Sequence, residues 1–223
     1  MPEYFVTGGR GAVLLTRPHP PLSSLIERKS LVGFALDRSG SMASLATVAV
    51  QSVNELIEQQ KEIAGNSRFT LTLFNHDVEL VNDAVPLCDV PSLLPAQYQP
   101  SGGTALNDAV AHLIRSLSEH AQGHGHSVLA VILTDGEENQ SQQYNCEDVR
   151  QIVTNRRVTH GWQFLFLGPE SALPYALSIG IPKVNTAGFE TTPEGLRLML
   201  ERLSKTVAAY RLGDRQFTLK LKG

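Results

Sequence analysis

The chain predicts an α/β fold: a doubly wound, mostly parallel central sheet with one antiparallel edge strand and helices on both faces. Three observations carry this prediction. The continuously apolar runs LVGFAL (31–36), SVLAVIL (127–133) and WQFLFLG (162–168) are what strands need when both faces of a sheet are covered. Segments with apolar residues at helical spacing lie between them. Finally, RFTLTLF (68–74) and VELV (78–81) are separated only by Asn75, His76 and Asp77. Three residues cannot make a parallel crossover, so this pair forms an antiparallel hairpin at a sheet edge.

In chain order, residues 1–30 form an N-terminal arm, in which YFVTGGRGAVLL reads as two short strands about a glycine turn. Its G-G-x-G is not a nucleotide fingerprint, because no helical pattern follows it. The prolines of RPHPPLSS (17–24) then separate the arm from a domain over 31–210. After the first strand, Leu45, Val48, Ala49, Leu56, Ile57 and Ile63 recur at helical spacing and stop near Gly65. SGGTALNDAVAHLIRSL (101–117) is a glycine loop leading into a helix, and residues 147–156 read as another. The last helix opens at Thr192 with Pro193 in its first position and buries Leu196, Leu200, Leu203 and Val207. A tail over 211–223 ends in RQFTLKLKG, which alternates like an edge strand guarded by lysines.

Composition narrows the function. At 223 residues, 42% hydrophobic and 18% charged, the chain is globular. A net charge of −3 weighs against a general nucleic-acid or anionic-membrane binder. Cys88 and Cys146 stand alone, giving neither a disulfide framework nor a zinc pattern, which points to a reducing compartment. The first residues lack a basic start followed by a long apolar stretch, and no later run is long enough to cross a bilayer. The expected location is the cytoplasm.

Three polar clusters sit where apolar strands give way to loops. Asp37, Ser39 and Ser41 follow the first strand; Thr104 follows Gly102 and Gly103; Asp135, before Gly136, follows SVLAVIL. Ligand sites in open α/β sheets form outside the carboxyl ends of the strands, where strand order reverses. Two carboxylates and three hydroxyls are hard oxygen donors, an inventory that selects Mg²⁺, Mn²⁺ or Ca²⁺ over zinc or copper. Taken singly, each piece has a plainer reading. Asp37 serves as a turn residue, Ser39, Ser41 or Thr104 as a helix cap, and Asp135-Gly136 as an ordinary turn.

Together, DRSGSM (37–42), SGGTAL (101–106) and LTDGEEN (133–139) resemble the D-x-S-x-S motif, threonine loop and second aspartate of von Willebrand factor A domains. The resemblance covers residues 31–210. It implies the family's Rossmann-like fold and a metal-ion-dependent adhesion site, with Ser39 and Ser41 binding the ion directly. Thr104 would bind directly in the ligand-engaged state, and Asp37 and Asp135 mainly through water and hydrogen bonds. It also implies a protein partner that supplies a Glu or Asp to the metal, with Ser101, Glu137, Glu138 and Asn139 on the rim that selects it. Intracellular relatives, including those resembling tellurite-resistance-cluster proteins, often work beside MoxR-type AAA+ ATPases, so such an ATPase is an implied partner.

The expected function is therefore a metal-dependent interaction module and not an enzyme. One alternative is a Mg²⁺-dependent hydrolase or phosphatase using Asp37. However, the position two residues on is Ser39, which cannot serve as an acid/base near neutral pH. An extracellular adhesin is another, disfavoured by the lack of visible disulfides, and an RNA-associated role is disfavoured by the acidic balance. The cluster His120, His124 and His126 reads as a solvated loop rather than a soft-metal site.

Overall fold

The computed structural model describes residues 29–214 apart from residue 124; the predicted arm strands and the RQFTLKLKG strand lie outside the described residues. Six strands form one sheet: β1 (Lys29–Asp37), β2 (Asn66–Phe74), β3 (Val78–Pro86), β4 (Ser127–Leu133), β5 (Gln163–Gly168) and β6 (Thr186–Gly188). Their order is β3-β2-β1-β4-β5-β6, with β3 antiparallel to β2 at one edge and every other pairing parallel. The fold class is the one expected from the sequence.

Among the described residues there are five α-helices: α1 (Ala46–Lys61), α2 (Leu106–Ala121), α3 (Cys146–His160), α4 (Leu173–Ser178) and α5 (Pro193–Arg211). Successive side chains of β1 feed opposite cores, as a strand's alternation requires. Val32, Phe34 and Leu36 pack with α1 and α5, whereas Leu31 and Ala35 pack with α2, α3 and α4. Burial on both faces is why these strands read as unbroken apolar runs.

The topology positions the site. From β1 the chain winds outward through β2 to β3, then returns to lay β4 on the other side of β1. Strand order reverses there, and helices leave the two strands in opposite directions, opening a crevice beyond their carboxyl ends. Leu36 pairs with Leu133, so Asp37 and Thr134, the residues that follow them, stand at the same level.

Several boundaries differ from the sequence reading. A 3-10 turn, Gly40–Leu45, precedes α1. Strand β3 runs on to Pro86 through two register shifts, which break the alternation that reveals a strand. Helix α3 continues to His160, where Gly161 caps it at φ +68°. α4 and β6, six and three residues long, carry no readable period. At α5, Pro193 stands first after Thr192, as predicted, and the Thr192 side chain accepts from the Gly195 N–H.

Candidate metal centre

Asp37 closes β1 with no exposed surface. One carboxylate oxygen accepts the Ser39 N–H at 2.6 Å and the other accepts the Thr134 hydroxyl at 2.5 Å. Tyr98, from a distant loop, donates its hydroxyl to the Asp37 carbonyl. From Ser39 the contacts continue: its Oγ lies 3.1 Å from the Ser41 Oγ, which donates to Asp135 Oδ1 at 2.6 Å. Four of the five predicted donors thus form one connected chain of polar contacts.

Thr104 arrives from a different loop. Its N–H donates to Asn139 Oδ1 at 2.9 Å, and its carbonyl accepts from the N–H groups of Asn139 (3.0 Å) and Gln140 (3.2 Å). The Thr104 and Ser41 hydroxyls both face Gly136: a Cβ built there would stand 3.3 Å from the first and 3.7 Å from the second. The loop before Thr104 approaches closely only because it lacks side chains. Gly102 has φ +69°, and a Cβ on it would fall 2.0 Å from His76 Nδ1. Backbone bonds from Gly40 to Gly102 (3.0 Å) and from Ser101 to Arg38 (3.0 Å) tie this loop to the serine turn.

The plainer capping roles are not used. Ser39 occupies the N-cap of the 3-10 turn but makes no side-chain cap bond there, and the N-cap of α2 is Ala105. The Ser39 hydroxyl instead meets Ser41 and Asp37, and Thr104 is not the residue that caps α2; both residues are buried.

Electrostatics point the same way. Burial pushes the Asp37 carboxyl up to about 6, even though the Thr134 and Ser39 hydrogen bonds pull it down. Burial also raises Asp135, and its charge adds to the rise at Asp37. Among the described residues no cationic side chain ion-pairs with either acid; neighbouring Arg38 pairs with Glu79 at 2.7 Å and donates to the Gln97 carbonyl at 3.1 Å. One buried and one half-buried carboxylate short of positive charge, beside three hydroxyls, are chemically suited to a hard dication. Among the described residues, no group of three or more His, Cys, Asp or Glu side chains gathers to hold a metal. His120 instead sits 2.9 Å from Asp83, and His124 lies outside the described residues.

At the rim, Ser101 and Glu137 are exposed. Glu138 differs from expectation: its carboxylate turns inward and accepts the N–H groups of Asn107 (2.7 Å), Gln140 (3.0 Å) and Ser141 (2.8 Å). Sequence reasoning also missed Thr134, Asn139 as a partner of Thr104, Tyr98 and Asp108. Thr134 and Asn139 lie within the LTDGEEN string and could have been found there; Tyr98 and Asp108 carry no local signal.

Oxygen-bearing side chains thus gather at the switch point of a doubly wound sheet, the place where α/β domains bind ligands. The von Willebrand factor type A domain model matches residues 32–180, and the chain belongs to that family. Domains of this family are generally protein-interaction or adhesion modules. Among solved structures, a von Willebrand factor type A protein from Catenulispora acidiphila is similar at 14% identity and TM-score 0.60, covering 83% of this chain and 43% of that one. The pilus adhesin SpaC from Lactobacillus rhamnosus GG, in an open conformation, shares 11% identity at TM-score 0.65 over 82% of this chain and 30% of its own. Manganese-loaded TRAP protein of Plasmodium vivax shares 13% at TM-score 0.51, covering 77% and 72%. At these identities the likeness shows the fold, and this chain spans less than half the length of the first two. No curated protein sequence matches it. Among the described residues, no helix is long and apolar enough to cross a membrane.

Proposed function

We propose that Asp37, Ser39, Ser41, Thr104 and Asp135 hold a divalent cation, Mg²⁺ or Mn²⁺ in preference to Ca²⁺, in a metal-ion-dependent adhesion site. The ion would bridge the chain to a Glu or Asp of a protein partner. The observation that carries this reading is the buried Asp37 with the half-buried Asp135, neither ion-paired among the described residues, beside hydroxyls that cap no helix. When bound, the ion supplies the missing positive charge and an electrophilic position for an incoming carboxylate. On the protein side, Asp37 fixes the serine turn through the Ser39 N–H, Asp135 orients Ser41, and Thr104 approaches from across the crevice. A manganese-loaded protein of the same fold supports the choice of ion.

Ser101 and Glu137 would contribute to partner choice from the exposed rim. We place the module in the cytoplasm, on the strength of its two lone cysteines, with an AAA+ ATPase as one class of partner by family resemblance. The reading assigns no catalytic residue. The test is an affinity capture from native lysate with Mg²⁺ or with EDTA, using Asp37→Ala as control. A partner retained with Mg²⁺, lost in EDTA and lost with the variant supports the reading; capture indifferent to both defeats it.

A further inference from the structure

The segment 136–144 contains neither helix nor strand, yet it is pinned along its length to the start of α2. Asp108, 5% exposed in the first turn of α2, accepts the N–H groups of Gln142 (2.8 Å), Gln143 (3.1 Å) and Tyr144 (2.8 Å). Glu138 accepts the Asn107 N–H at 2.7 Å, and the Ser141 hydroxyl donates to it at 2.6 Å. The same Ser141 oxygen accepts the Asp108 N–H at 3.1 Å. Both carboxylates are thus spent on backbone donors, Asp108 on those of the loop and Glu138 on those of the loop and of Asn107 in the helix's first turn, and such charge-assisted bonds are strong. Glu138 faces the helix from the loop, and Asp108 faces the loop from the helix.

This anchoring leaves Asn139 at a fixed place on the loop's crest, with one consequence at the metal centre. Asn139 grips both backbone groups of Thr104, the N–H through its side chain and the carbonyl through its own N–H. A Cβ on Gly103 would stand 2.6 Å from Asn139 Oδ1, so the clamp closes only on a glycine. A threonine hydroxyl takes its direction from its backbone, and Thr104 lies outside helix and strand. We propose that Asn139, held by Glu138 and Asp108, is a positioning residue that sets the Thr104 hydroxyl toward the cation. The inference rests on the metal reading above and adds residues that do not touch the ion.

The experiment is a double-mutant cycle on the full chain. Mn²⁺ affinity is measured by calorimetric titration for the wild type, Asn139→Ala, Thr104→Ala and the double variant, and exchange of the Thr104 amide is followed by NMR in EDTA. Asn139→Ala is expected to weaken Mn²⁺ roughly tenfold, in the range found for groups that orient metal ligands, and to speed Thr104 amide exchange. In the Thr104→Ala background the same change is expected to cost nothing. Asn139→Asp, which keeps the acceptor, restores protection of the Thr104 amide, and Glu138→Gln reproduces a weaker loss from the α2 side. An equal penalty in both backgrounds, or unchanged Thr104 exchange in Asn139→Ala, overturns the inference while leaving the metal reading intact. A wild type that binds no Mn²⁺ overturns the metal reading and this inference with it; amide exchange then reports a clamp that only shapes the loop.

Discussion

At the amino ends of β1 and β2, Arg211 is 5% exposed; at the carboxyl end of β1, Asp37 is fully buried. The first charge is answered within the chain. Its guanidinium donates to the Ser67 hydroxyl (2.8 Å), to the Gln60 carbonyl and to the Ile63 carbonyl (2.9 Å), while Ser67 meets Ser30 at 2.6 Å. The Arg211 group is pulled down only to about 10 by burial, and stays charged at neutral pH. Asp37 has hydrogen bonds too, from the Ser39 N–H and from the Thr134 and Ser39 hydroxyls, but it has no cationic partner among the described residues and a second carboxylate lies nearby. The lesson is that burial alone does not mark a functional group. What distinguishes the two ends is whether neighbouring groups complete the charge's solvation.

The largest expected effect is at the completed end. Arg211→Ala strips partners from buried acceptors on α1, β2 and the turn between them, at a cost of about 3 kcal/mol. Denaturant unfolding should show the same loss in Mg²⁺ and in EDTA. A loss that vanishes with metal would merge the two ends into one device and break the comparison.

Next comes the metal. Mg²⁺ at about a hundred times its Kd should raise stability by about 2.7 kcal/mol, and Asp37→Ala or Ser39→Ala should abolish that gain. A wild-type melting temperature indifferent to EDTA and added Mg²⁺ would remove the ground for calling the carboxyl end unfinished.

A smaller effect of opposite sign sharpens the point. In EDTA at pH 8, Asp37→Asn should be more stable than the wild type by about 2 kcal/mol, since it removes an uncompensated buried charge. Folded Asp37 holds its proton up to about pH 6, against an ordinary value of 3.8, so this carboxyl costs stability as pH rises through that window. The gap between variant and wild type should therefore be full above pH 6 and close as pH falls toward 4. With Mg²⁺ the ordering reverses, and the metal's gain fades below pH 6 as protons compete for Asp37. Chemical unfolding at pH 4, 6 and 8 measures all of this.

The smallest effect is expected for Tyr98→Phe. Its hydroxyl serves the Asp37 carbonyl and not the carboxylate, so the loss should be about 1 kcal/mol with a wild-type response to Mg²⁺. A lost metal response would make Tyr98 part of the site.

Much of this was legible before any coordinates. LVGFAL, SVLAVIL and the strand from Gln163 are strands because strands covered on both faces must be apolar throughout, and that is a local property of sequence. The hairpin at Asn75–Asp77 followed from connection length alone. The five candidate donors were readable because each stands at or just beyond a strand's carboxyl end or follows a glycine loop. β6 was not readable, since three residues show no alternation, and neither was α4. Nor was the inward turn of Glu138: a glutamate in a polar loop looks the same whether it faces solvent or a helix N-terminus thirty-one residues away.

The sequence by itself determined the alternation of strands and helices, the placing of β3 at an edge, and which oxygen-bearing residues stand at strand ends. Those follow from periodicity, connection length and residue chemistry, all of them local. Only the tertiary structure decided that β4 lies beside β1, so that Thr134 reaches an aspartate 97 residues away, and that Asn139 takes hold of Thr104. Strand order and hydrogen-bond direction depend on contacts between distant segments, and in a single sequence no period or spacing encodes which distant groups will meet.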